Sequence, residues 1–255
     1  MKNIRVCWRA SRRTAFTLVE LLVVVAIIAL LVSMLMPSLA RARELAKRTV
    51  CLTHLGAIGR GIHLYGADYN GFVIPCRYRG VQICLNPAMP DPQDDDDKID
   101  WVKAAAKVGL GTTAWECPGR PGIVAFEPDY PQLILGYQYF GGIRTWYNPW
   151  GQYPARSPVD SRSRGDWVLA ADAVMKIDGV WGGGRPTAFG NMPQHRWNAQ
   201  HPEGGNQVHF DGSGRWVRFE EMYFIHSWGD WARAAYFYQK DLGDYVPPPD
   251  AKAKP

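Results

Sequence analysis

The feature that most constrains this chain is an apolar run of 21 residues, Phe16 to Met36, broken by one charge, Glu20. As a helix rising about 1.5 Å per residue, the run spans roughly the 30 Å hydrocarbon core of a bilayer. Lys2, Arg5, Arg9, Arg12 and Arg13 precede it, and no acidic residue does. The run is too long for the h-region of a secretory signal peptide, and no small-residue cleavage pattern follows it. A membrane helix is expected, its basic flank cytoplasmic and everything after Pro37 on the other side.

Glu20 needs a reason. A carboxylate inside a span costs about 2.5–3.5 kcal/mol on insertion scales and as a rule marks function with a partner. A cut before Phe16 would create one, an amino group four residues from Glu20. Within one helix that is a single turn; in a packed bundle the amine of one subunit meets the Glu20 of its neighbour. Each buried charge is then paired, which makes it tolerable in low dielectric. The bland alternative is an ordinary signal anchor with a stray Glu.

Ala15-Phe16-Thr17-Leu18-Val19-Glu20 resembles the cleavage motif of type IV prepilins and type II secretion pseudopilins, with Ala15 where Gly is usual. The resemblance implies cleavage between Ala15 and Phe16 by a prepilin peptidase, then N-methylation of Phe16. It implies that Glu20 guides assembly, and that Pro37, 21 residues after the first mature residue, fills the family's proline position. The implied partners are the peptidase/methyltransferase, other pilin-like subunits in a homo- or hetero-filament, and the membrane. The implied location is the inner membrane with the C-terminal domain periplasmic, then a filament or the cell surface. No enzymatic activity and no cofactor are implied.

The formal charge of +5 invites a nucleic-acid reading, which its distribution removes. Of 29 Lys and Arg, five precede Phe16, leaving 24 against 24 Asp and Glu. The remaining chain is formally neutral, so no global electrostatic case for a polyanion partner survives. Beyond Cys7 there are four cysteines, Cys51, Cys76, Cys84 and Cys117. Four allow three pairings, and an oxidising periplasm would permit two bonds. Cys76 and Cys84 are near enough to staple a local loop, leaving Cys51 with Cys117. Zinc sites favour close ligand pairs such as C-x2-C, and none occurs, so disulfides or buried thiols are expected and no metal.

After Pro37, Leu45, Leu52, Leu55, Ile58, Ile62 and Tyr65 keep a helical spacing, and Gly66 to Gly71 with Asp68 and Asn70 reads as the helix end. Phe72–Ile74 and Val81–Leu85 read as short strands, Asp91–Lys98 as a solvated acidic loop and Trp101–Val108 as a short helix. Trp115–Gly119 reads as a strand end entering a Pro/Gly loop. Tyr137, Tyr139, Phe140, Trp146, Tyr147 and Trp150 form an aromatic, turn-rich stretch. It is read as core, although stacking faces can also bind sugars or a partner.

Trp167–Asp172 reads as a buried strand, and Gly182–Gly184 as a turn with no phosphate-binding continuation. Gln207–Phe210 and Arg215–Phe219 alternate as strands around the turn Asp211-Gly212-Ser213-Gly214. This segment resembles the H-x9-D-G ending of a large pilin-like family, carried here by His201, Gly204, Gly205, Asn206, Asp211 and Gly212. Cys51-Leu52-Thr53-His54-Leu55 and Asp68-Tyr69-Asn70-Gly71 resemble its C-x-x-N-L and D-x-N-G segments, with His54 in place of Asn. His201, His209, Asp211 and Asp172 have the chemistry of a base or metal site, but no nucleophile motif accompanies them, and the structural reading is preferred. Residues 220–239 are expected to form a terminal helix or an irregular cap.

The expected fold is α+β: a long N-terminal transmembrane helix continuing into a pilin-like globular domain with a small antiparallel sheet. The expected segments are a leader (1–15), an assembly helix (16–37), an amphipathic helix (38–70), the globular domain (71–246) and a disordered tail (247–255). The expected function is a structural subunit of a pilus or secretion pseudopilus. The alternative is a membrane-tethered exported domain, glycan-binding or enzymatic, sorted by the same leader.

Overall fold

The computed structural model describes residues 17–77, 80, 82–87, 99–119, 121, 122, 124, 126, 127, 131–181, 192, 195, 202–228 and 233–253. Ala15, Phe16, His201, the acidic loop and Gly182–Gly184 lie outside them.

Helix α1 runs from Leu18 to Asp68 and continues through Pro37. The chain separates into two compact units, residues 1–44 and 45–255. In the first, every large apolar side chain from Leu18 to Met36 is exposed. Ser33 and Ser38 return their hydroxyls to the carbonyls of Leu30 (2.7 Å) and Leu35 (2.8 Å), so neither leaves an open donor on the apolar surface. In the second unit the helix buries Cys51, Leu55, Ile58, Ile62 and Tyr65 at alternating four- and three-residue steps, one stripe facing a core. The helix ends where glycines and Asn70 were expected to end it. Asn70 and Gly71 take positive φ (51° and 81°), and the Gly71 N–H returns to the Gly66 carbonyl at 2.7 Å.

Among the described residues the second unit adds helix α2 (Trp101–Lys107), capped by the Asp100 carboxylate on the Lys103 N–H, and twelve short strands. They are β1 Cys84–Leu85, β2 Phe126–Glu127, β3 Gln132–Ile134, β4 Tyr137–Tyr139, β5 Thr145–Asn148 and β6 Gly151–Pro154. The rest are β7 Val168–Asp172, β8 Met175–Ile177, β9 Gly204–His209, β10 Gly214–Arg218, β11 Tyr223–Trp228 and β12 Arg233–Phe237. Four antiparallel sheets result, in the orders β1-β3-β2, β10-β9-β7-β4, β11-β12-β8 and β5-β6. The four-stranded sheet lies against the second half of α1. His63 meets the Phe210 carbonyl (2.6 Å) and its ring (4.7 Å), and Asn206 Nδ2 donates to the Arg48 carbonyl at 3.0 Å. An α+β architecture with small antiparallel sheets after a long apolar helix is what the pattern called for.

Four local expectations change. Phe72–Ile74 forms no strand, and Phe72 makes only an isolated bridge to Asp160. Within residues 220–239, Tyr223–Trp228 and Arg233–Phe237 form antiparallel strands β11 and β12 rather than a helix or irregular cap, because Tyr223, Phe224, Tyr236 and Phe237 are β-formers that pair across the two strands. Trp115 closes a 3-10 turn (Thr112–Trp115) rather than a strand. The segment expected to be a disordered tail is packed over residues 249–253. Ala251 and Ala253 are buried, and the Ala253 N–H donates to the Met222 carbonyl at 2.9 Å.

Candidate functional site

Two places in the chain carry chemistry beyond packing. The first is the start of α1. Thr17 Oγ1 accepts from the Glu20 N–H at 3.2 Å, and the Glu20 carboxylate accepts from the Thr17 N–H at 2.8 Å and from its hydroxyl at 2.8 Å. This is a reciprocal capping box, satisfying donors that the first turn of a helix leaves open. The T-x-x-E spacing that carries it stood in the sequence, but Glu20 was read there only as a charge. The side chain therefore has a local task besides any pairing with a neighbour.

The second place is buried in the globular unit. Cys51 comes from α1, Cys117 from the loop after the 3-10 turn, Asp172 from the end of β7 and His195 from the segment before β9. One donor atom from each lies within 4.8 Å of the others, and all four side chains are buried. The Cys51 and Cys117 sulfurs are 2.6 Å apart, and all four cysteines of the globular unit are buried thiols. The hydrogen bond from Cys117, with help from His195, holds the Cys51 thiol down at about 6. The same sulfur contact and burial push Cys117 well up.

Asp172 is held from several sides. Its Oδ2 accepts from the backbone N–H of Asn206 (2.7 Å) and from Asn206 Nδ2 (2.9 Å), and lies 3.2 Å from His195 Nε2. Its Oδ1 is buried without a hydrogen-bond partner. The signature glycines explain how β9 gets so close. A Cβ on Gly204 would sit 2.2 Å from the Val217 carbonyl, and one on Gly205 3.2 Å from Asp172 Cβ. Asn206 thus clamps both Asp172 and the helix carbonyl of Arg48 because two residues without side chains precede it. At the rim, Arg48 pairs with Glu203 and lies 3.8 Å over the Trp216 ring, while the Glu203 N–H donates to the His195 carbonyl at 3.1 Å.

Of the residues weighed as a site from sequence, the described ones do not converge. Asp172 and Asn206 meet at one end of β9, whereas His209 and Asp211 lie at the other. There Asp211 accepts from the Ser213 N–H (2.8 Å) and Gly212 takes the left-handed turn position (φ 83°). Asp211 and Gly212 shape a hairpin turn. Sequence reasoning found Cys51, Cys117 and Asp172 singly and missed His195, since 66, 55 and 23 residues separate the four in turn. Of the aromatic stretch, Tyr137, Tyr139, Phe140 and Trp146 are buried in the core and offer no stacking face. Cys76 and Cys84 are buried in a loop closed by the Arg77 N–H on the Cys84 carbonyl at 3.0 Å.

A long apolar N-terminal helix, a capping Thr-x-x-Glu at its start and a small antiparallel domain after it make the chain similar to type IV pilin-like proteins. A family model described as the prokaryotic N-terminal methylation motif matches residues 10–36. Over 57 residues, 22% of the chain, the sequence is 42% identical to the type IV wide pilus major component PilA4 of Thermus thermophilus. The match spans 44% of that protein's length. No solved structure matches the chain.

Proposed function

We propose that the chain is a structural subunit, cut between Ala15 and Phe16, methylated on Phe16 and packed through residues 16–37 into a pilus or secretion pseudopilus. The observation that carries this reading is the coincidence of the methylation-motif match with an apolar helical stretch, Leu18 to Met36, whose large side chains are all exposed and whose one charge is Glu20. A helix apolar on every side belongs in lipid or among other helices. Head-to-tail contacts between copies would build a filament, the open product of heterologous association. Until assembly, the globular unit would stand on the periplasmic side of the inner membrane, opposite the basic flank. Function here is structural. Tyr137, Tyr139, Phe140 and Trp146 are buried and offer no stacking face, so the tethered-domain alternative would have to rest on the exposed Tyr147 and Trp150.

Intact mass of the protein isolated from the cell envelope tests the processing. Loss of residues 1–15 with one added methyl group is expected. Recovery of the full-length chain from envelopes whose prepilin peptidase is active would overturn the reading.

A further inference from the structure

We propose that Cys51, Cys117, Asp172 and His195 form a structural site for one divalent transition-metal ion, zinc by the chemistry of the donors. Two thiolates, an imidazole and a carboxylate make a four-ligand set of the kind zinc takes in tetrahedral sites, and the sulfurs disfavour magnesium or calcium. Four such donors, drawn from separate elements and converging within 4.8 Å, are not a by-product of packing alone. Bare, the arrangement is costly. Asp172 is buried with one carboxylate oxygen unpartnered. An ion of charge +2 compensates the carboxylate and gives the orphan oxygen, or its mate, a bond.

The surroundings match what such ligands need. Asn206 fixes the Asp172 carboxylate with two N–H donors, the Gly119 N–H points at Cys117 Sγ (3.3 Å), and the Glu203 N–H anchors the His195 backbone. The 3.2 Å between His195 Nε2 and Asp172 Oδ2 suits two ligands of one ion, whose bonds are each about 2.0–2.2 Å. The sulfurs, at 2.6 Å, would part by about 1 Å to sit on one ion with bonds of about 2.3 Å. Binding releases the thiol proton to solvent, and nothing is oxidised or reduced.

The competing occupant of the same space is a Cys51–Cys117 disulfide. It would use two of the four donors and leave the Asp172 oxygen unsatisfied beside His195, whereas an ion uses all four. The site would pin α1 to β7, to the loop after the 3-10 turn and to the His195 segment. It is independent of whether the chain assembles.

The test uses the full chain purified in detergent without reductant or chelator. Metal content by mass spectrometry should give about one zinc per chain, and alkylation under denaturing conditions should find the Cys51 and Cys117 thiols unoxidised. After zinc is stripped, cobalt titration should give one equivalent of a tetrahedral, thiolate-ligated absorption spectrum that zinc then bleaches. Asn206→Ala, which leaves all four donors in place, should weaken zinc binding about 10- to 100-fold. Cys76→Ser, outside the cluster, should leave it unchanged. A disulfide between Cys51 and Cys117 in the isolated protein would overturn the proposal. So would a reduced, folded chain that takes up no cobalt, and both readouts come from the unaltered sequence.

Discussion

From Leu18 to Met36 the helix is apolar on all sides and every large side chain is exposed; from Arg48 to Gly66 its buried residues fall on one face. Both stretches belong to one α-helix, which continues through Pro37 although that residue has no N–H to donate. Local propensity therefore made neither half what it is. Among the described residues the first half packs against nothing, and its apolar surface suits lipid or other copies. The second has its partner built in, a four-stranded sheet that meets the helix through Val208, with Phe210 just past the strand. Glu20 belongs to the first half, where Thr17 caps its carboxylate but no basic residue lies between Thr17 and Met36, and a charge within a span asks for a partner.

The largest expected effect tests that difference at Glu20. Glu20→Gln retains an oxygen able to accept from the Thr17 N–H, so the capping box survives while the charge is lost. Glu20→Ala loses both. If the charge pairs with the terminal amine of an adjoining copy, both variants should insert in the membrane, and both should be missing from sheared filament preparations probed by immunoblot. Normal incorporation of the Gln variant would mean that capping, not pairing, is the task of this residue, and the contrast between the halves would lose its functional meaning.

Next in size is the core face. Leu55→Ala opens a cavity at a fully buried position and should cost about 2–5 kcal/mol. Leu31→Ala, on the exposed half, should move domain stability by no more than about 0.5 kcal/mol. Denaturant unfolding of the chain from Phe16 onward in detergent, followed by tryptophan fluorescence, reads the domain alone, because the first Trp after Trp8 is Trp101. Equal shifts for the two variants would erase the distinction.

Acid should separate the halves as well, since Leu21 to Met36 contains no titratable side chain. In the globular unit, burial holds His226 down to about 4 from an ordinary 6.5. Its Nδ1 accepts from the Tyr147 N–H (3.0 Å) and its Nε2 donates to the Gly80 carbonyl (2.9 Å), which fixes the neutral tautomer. Between pH 6.5 and 4 the unfolded chain binds the proton and the folded one resists it, so stability falls as pH drops through that window. The loss should be on the order of 3 kcal/mol. His226→Gln should flatten this part of the pH profile of unfolding midpoints; an unchanged slope would locate the acid sensitivity elsewhere.

The span, the Glu, the proline and the end of α1 were legible in the sequence because each is a one-dimensional signal: run length, a lone charge, a ring without an N–H, a glycine cluster. The buried strand to Asp172 and the hairpin at Asp211-Gly212 were legible for the same reason. The Cys51, Cys117, Asp172 and His195 convergence was not. It depends on sheet order β9-β7-β4 and on how closely Gly204 and Gly205 let β9 approach, neither of which leaves a periodic trace. The aromatic residues from 220 to 239 misled because the same side chains suit a helical cap and a β-ribbon, and only pairing with β8 decides.

The smallest expected effect sharpens the comparison within the packed half, where two buried glycines sit two positions apart. A Cβ on Gly59 would lie 3.7 Å from Val208 Cγ2, an ordinary contact, while one on Gly61 would meet three carbons of buried Leu110 at 2.6–2.8 Å. Alanine gains about 0.8–1 kcal/mol over glycine in a helix interior. At Gly59 nothing opposes that gain, so Gly59→Ala should stabilise the domain by roughly that amount. At Gly61, overpacking costs about 1–3 kcal/mol, so Gly61→Ala should range from neutral to destabilising by about 2 kcal/mol. Paired unfolding curves of the two variants measure the difference. Opposite signs would place the tightest seam of the helix against Leu110. Stabilisation by both would mean Leu110 yields, and the face that distinguishes this half would be packed more loosely than its burial implies.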